Sequence, residues 1–397
     1  MSFLTSHPDL SSTIFTEEDL RRAREYLTSV IERTNTSWLK KPKGLLGKYW
    51  DNDSEQAACV LIDIAQVLHS FEHKITTRSA PLFPAKAEGL LQPRTEKEFI
   101  ENLTELQVAF VLTQYANPLD VDPLVPEQYL LPLSNHRRPT TPDFALRLLD
   151  GRVFLEVTVL HVEILDKWDK SLLDLTTALK RYVRVQQKDL IVDMQVPLPF
   201  PGSVEQITEL LIKKFDEFPS GSVAIGKNGE IRWEPIPAIT TQDTSTIFST
   251  FATISSPVAM FSSPGGKWRN AFAQLQSVAT MPEEDIDRAN KLLFNSLRNT
   301  LNRKQDQLPH HEPSLLILKL GHHRLLEDRL MNRVRERIWP NQQYNWLSGI
   351  GFFTPRRAFS PSDAEHRLNF HFNPAARCQV SQSLTSLFSG KTLWPAE

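Results

Sequence analysis

Two carboxylates stand on either side of a turn signal near the middle of the chain: Asp143 in TPDF and Glu156 in LEVTV. Asp150-Gly151 between them favours a two-residue hairpin turn. With Leu149 facing Arg152, Phe144 faces Val157, Leu146 faces Leu155 and Leu148 faces Val153, so one face is wholly apolar and belongs in a core. The other face carries Asp143 opposite Thr158, with Glu156 diagonal to Asp143. Like charges so placed cost stability. A divalent cation between them removes that cost, and oxygen ligands suit Mg²⁺, or Mn²⁺ in its place. Solvated charges on an open sheet face are the competing reading. Against it, Asp143 follows a proline at a strand start, and Glu156 is central in an otherwise apolar strand.

The elements needed to position these side chains are legible on both sides. Apolar spacing at Phe99, Leu103, Leu106 and Phe110 predicts a helix over 96–116. Strands follow at 129–133, 142–149 and 152–160, then a helix at 171–187 (Leu172, Leu175, Leu179, Val183) and a strand at 190–196. Earlier, helices are expected at 16–35 and 55–73, and the Pro-rich 80–94 reads as a connector. Later come a helix at 203–217, a hairpin turning on Asn228-Gly229, and a Ser/Thr-rich loop at 238–266. A long helix begins near Pro282 and runs to about Gln307, with strands at 314–320, 349–353 and 368–372 and a helix near 325–338. Mixed order of this kind predicts α/β or α+β.

The motif TPDF, hairpin, LEVTV resembles the PD-(D/E)XK nuclease superfamily, with Pro142-Asp143 as the PD and Glu156-Val157-Thr158 as the (D/E)XK. The resemblance spans roughly 96–196 and includes the order helix, three strands, helix, strand. It implies a restriction-endonuclease-like core at 93–200, an N-terminal helical region at 1–92 and a C-terminal α/β extension at 201–397. It implies Mg²⁺-dependent hydrolysis of DNA, with metal on Asp143, Glu156 and the Val157 carbonyl. Glu105, on the first helix, matches a further glutamate found in family members. Bacterial proteins with this core often serve restriction or defence. The motif lysine is replaced by Thr158, which brings no positive charge. One alternative is therefore an inactive nuclease fold that binds nucleic acid or protein. Another is an interaction protein with a chance motif match.

Two lysines are candidates to replace the missing cation. Lys180, Arg184 and Gln187 line one face of the 171–187 helix. Lys304 falls in step with the stripe Leu293, Leu297, Leu301 and Leu308, with Gln307 beside it; an inward lysine needs a partner, and snorkelling past the helix end is the competing reading. Arg329, Arg333 and Arg337 form a basic stripe that suits phosphate contact or a solvated face.

Bulk properties bound the rest. The chain has 397 residues, 40% hydrophobic and 23% charged, with net charge −2. That composition excludes fibrous and wholly disordered classes. Residues 288–337 hold 11 basic and 5 acidic side chains, a patch compatible with a polyanion. Two cysteines exclude a disulfide framework or a four-thiolate zinc site. No signal peptide or membrane span is expected, and a cytoplasmic location follows. His310-His311, His322-His323 and the GGK at 265–267 lack the spacing of metal or phosphate motifs. The N-terminal helices are candidates for dimerisation, for a protein partner or for covering the site.

Overall fold

The structure, a computed structural model, describes residues 17–52, 55–113, 119–123, 141–148, 151–186, 188–236, 275–305, 307–320, 324–355 and 366–381. The expected strand at 129–133 and the loop at 238–266 lie outside these residues. The N-terminal region is helical: α1 (Glu17–Arg33), α2 (Gly44–Trp50), α3 (Glu55–Lys74), α4 (Phe83–Leu91) and α5 (Glu96–Leu112). The Pro-rich stretch read as a connector is therefore mostly helix. Pro84 sits in the first turn of α4, where a missing N–H costs nothing. The Thr95 hydroxyl caps α5 by accepting from Glu98 N–H at 3.1 Å, and the Glu98 carboxylate accepts from Arg94 N–H at 2.8 Å.

Strands β1 (Asp120–Val121), β2 (Phe144–Leu148) and β3 (Gly151–Val159) then lead into α6 (Glu163–Gln186), β4 (Leu190–Gln195), α7 (Val204–Glu217), β5 (Gly221–Ile225) and β6 (Gly229–Pro235). The C-terminal part holds β7 (Leu275–Thr280), α8 (Glu283–Lys304), β8 (Ser314–Lys319), α9 (Arg324–Arg337), β9 (Gly349–Thr354) and β10 (Arg367–Phe372). The fold is mixed α/β. One sheet has the order β1-β2-β3-β8-β9-β10 and the other β5-β6-β4-β7. In the first, β3, β8 and β9 run parallel while the outer pairings are antiparallel.

Each face of the six-stranded sheet has its own core. Helices α1–α5 pack with Val153, Leu155, Leu315 and Ile317 on one side. Phe154, Leu316 and Leu318 point the other way, toward α6, α8, α9 and the second sheet. Strands covered on both faces read as continuous apolar runs, which explains why β8 is buried from Ser314 to Leu318.

Two expectations are corrected. The strand at 190–196 does not lie beside the motif strand. β4 alternates buried and less buried positions and pairs with β6 and β7. The neighbour of β3 is β8, reached through α8 after the chain has built the second sheet. The hairpin register is also shifted: Phe144 pairs with Leu155, Leu146 with Val153 and Leu148 with Gly151. Gly151 is part of the strand, at φ +154°, a conformation open to glycine and little else. The shift is two residues, so the faces are unchanged, but Asp143 moves from diagonal to directly across from Glu156.

Candidate active site

Asp143 lies one step before β2, at the point where Pro142 stops the ladder. In the observed register Pro142 is opposite Val157 and has no N–H to give it. The Asp143 Oδ2 takes the strand's place and accepts from Val157 N–H at 2.7 Å. Pro142, opposite Val157, likewise has no N–H to offer the Val157 carbonyl. Across from Asp143, Glu156 is 2% exposed. Its Oε1 accepts from Lys304 Nζ, while its Oε2 is buried with no hydrogen-bond partner among the described residues. A buried carboxylate oxygen without a partner is costly.

Lys304 closes the last turn of α8. That helix is oriented by Leu293, Leu297 and Leu301, all buried in the second core. The side chain is 22% exposed, so the ammonium reaches Glu156 from the rim rather than from a sealed interior. Gln307 is half-buried and donates its backbone N–H to the Lys304 carbonyl at 3.0 Å. Its observed role is to end the helix. Thr158 is half-buried two residues past Glu156 on the same face, in register with Leu318.

The opposite flank is built by α4 and α5. Glu105 Oε1 accepts from Lys86 Nζ at 2.5 Å, and Lys86 also lies 3.4 Å from Asp122 Oδ1. Burial first, then the charges of Glu156 and Glu105, holds the Asp143 carboxyl well above the usual carboxylate range. The Val157 N–H and Lys86 pull the other way. Burial also raises Glu156, helped by Glu105 and opposed by Lys304. Burial works against the charge of Lys86, but Glu105, Asp122 and Asp143 outweigh it and hold the ammonium above the ordinary lysine range. The site thus holds two carboxyls raised by burial and by neighbouring carboxylates, with Lys86 and Lys304 opposing the rise.

Those shifts set a pH dependence. A carboxyl whose folded pKa is raised contributes stability that is complete below its unfolded value, near 4, and is lost as pH rises through the folded value. In chelator, the urea midpoint of the wild type is therefore expected to fall as pH rises above the unfolded carboxylate value of about 4. The same titration of Asp143→Asn should be flatter. Parallel curves for the two proteins would remove Asp143 as the source.

The other candidates are placed as follows. Lys180 is half-buried on α6, which packs on α7 and β7; Lys304 is the lysine that reaches Glu156. Lys180→Ala is expected to leave any metal-dependent DNA cleavage within about threefold of wild type, measured by initial rates. Arg184 is on α6, but its side chain lies outside the described residues, as does Gln187. Arg329 is not free for phosphate: it bridges Glu283 and, at 2.9 Å, Asp287, tying α9 to α8. Arg333 follows one turn later and is half-buried.

Two lysines were not foreseen. Lys86 was hidden in the supposed connector, although Pro84 at a first helical turn was a usable signal. Lys319 on β8 alternates to the other face of the sheet and donates to Thr104 Oγ1 at 3.1 Å. Burial pushes it down to about 8, with Asp63 opposing. Its direction excludes it as the replacement for Thr158.

Among the described residues, no three His, Cys, Asp or Glu side chains converge closely enough to hold a metal ion. The available donors are two facing carboxylates and one main-chain carbonyl. The unmet Glu156 oxygen and the raised carboxyls fit a hard divalent ion there. No described helix is long and apolar enough to cross a membrane. Comparison with protein families, with curated proteins and with solved structures returned no match to this chain.

Proposed function

We propose that this protein is a metal-dependent nuclease that hydrolyses DNA phosphodiester bonds. The observation that carries the reading is the facing, buried pair Asp143 and Glu156 with Lys304 delivered onto Glu156. The element order α5, β1, β2, β3, α8, β8 supports it, since it repeats helix, three strands, helix, strand around the motif, with the second sheet inserted. Asp143, Glu156 and the Val157 carbonyl would hold Mg²⁺ or Mn²⁺. Such an ion supplies Lewis acidity toward the phosphate and lowers the pKa of the attacking water. Lys304 supplies the cation that Thr158 lacks, from another helix but on the same face of β3. Its ammonium orients Glu156 and offsets charge gathering on the phosphate oxygens. The attacking water gives up a proton to solvent as its oxygen forms the new bond to phosphorus, the bond to the leaving sugar oxygen breaks, and that oxygen takes a proton from solvent. Glu105, held by Lys86, keeps a third carboxylate beside the pair. A role in bacterial restriction or defence, with DNA as the partner, is the setting the resemblance implies.

Thr158 favours a second reading, an inactive fold retained for binding nucleic acid or protein. Incubating the protein with plasmid and single-stranded DNA in Mg²⁺, Mn²⁺ or EDTA separates the two. Cleavage with metal only is expected. DNA binding without cleavage in any metal would select the second reading. Metal should also raise the melting temperature: at a free concentration about 100 times Kd, linkage contributes about 2.7 kcal/mol. A melting curve indifferent to Mn²⁺ would count against the site.

A further inference from the structure

The acids of the site are flanked by cations on two sides, and only one of these has a place in the hydrolytic reading. Lys304 comes from α8 and the core on one face of the sheet. Lys86 comes from α4, whose Phe83, Ala87, Leu90 and Leu91 are buried in the core on the other face. Its side chain is 22% exposed and ends between Glu105, at 2.5 Å, and Asp122, at 3.4 Å, with its field reaching Asp143. We propose that Lys86 is a positioning residue that stands where a second divalent ion would otherwise be held. Its ammonium keeps Glu105 and Asp122 occupied, so that the protein takes one divalent ion. This inference rests on the metal-dependent reading of Asp143 and Glu156.

Charge balance supports it. Four carboxylates surround the site (Glu105, Asp122, Asp143, Glu156), and two ammoniums face them. One divalent ion brings the ionised set to neutrality, whereas a second would leave a surplus of two positive charges in a partly buried place. Geometry agrees, because the two carboxylates a second ion would need are the ones that Lys86 already bridges. A two-ion clamp stabilises both the attacking and the leaving oxygen. Here a fixed ammonium on the Glu105 side takes over part of that electrostatic task through Glu105 and Asp143.

The test is Mn²⁺ titration of the full chain without DNA, reading free Mn²⁺ by electron paramagnetic resonance. Wild type is expected to bind one ion. Lys86→Met, checked for folding by circular dichroism, is expected to bind two, and Lys86→Arg one. Where the methionine variant fails to fold, Lys86→Gln, which keeps donors for Glu105 without the charge, replaces it and should also bind two. Two ions on wild type, or one on a folded Met or Gln variant, overturns the role of Lys86 while leaving the Asp143–Glu156 site intact. No ion on wild type, together with no cleavage, overturns the hydrolytic reading and this inference with it.

Discussion

Asp143→Asn and Glu156→Gln should each lower metal-dependent DNA cleavage by at least about a thousandfold, roughly 4 kcal/mol of transition-state stabilisation. The reason is local. Each variant keeps the shape of the side chain but removes one of two charges that a divalent ion needs, and among the described residues no group of three His, Cys, Asp or Glu side chains could hold the ion instead. The substitution at 143 should have the opposite effect on the metal-free fold. Asparagine at 143 still offers an oxygen to Val157 N–H, while burial and the charges of Glu156 and Glu105 no longer act on it. In EDTA near neutral pH, Asp143→Asn is expected to be more stable than wild type by about 1 kcal/mol, read from urea midpoints. A site that loses activity and gains stability is one kept for chemistry. If Asp143→Asn instead lost both together, Asp143 would be a structural cap on the end of β2.

Lys304→Met is the second large effect. The Lys304–Glu156 contact joins a rim ammonium to a carboxylate with 3% of its side chain exposed. Removing one partner of such a pair leaves a buried charge unmet, which costs about 3 kcal/mol. The variant is expected to unfold at lower urea and to cleave DNA about a hundredfold or more slowly, since a cation on the reacting phosphate is lost. Combining Lys304→Met with Glu156→Gln separates the two causes. The double variant should recover most of the stability and none of the activity. Full activity in Lys304→Met with normal metal binding would show that the lysine only neutralises Glu156. The answer to Thr158 would then lie elsewhere.

What the sequence determined by itself is local and periodic. The apolar alternation around Phe144, Leu146, Val153 and Leu155 committed the hairpin to one buried face, and a register error of two residues could not change which side Asp143 and Glu156 occupy. The 3.6-residue stripe through Leu293, Leu297 and Leu301 put Lys304 in step with the buried face of its helix. Pro282 marked a helix start for the same local reasons. Which strand lies beside β3 was decided only by the tertiary structure. β4 and β8 both follow a helix, and chain order cannot choose between them. Burial can: β8 is apolar on both faces and goes to the centre, while β4, covered on one face, joins the other sheet. The same packing decided that Lys304 meets Glu156, that Arg329 pairs with α8, and that a proline-rich stretch folds into a helix placing Lys86 against Glu105. Residues far apart in the chain share a site because two cores close on one sheet, and no periodicity within a single segment carries that information.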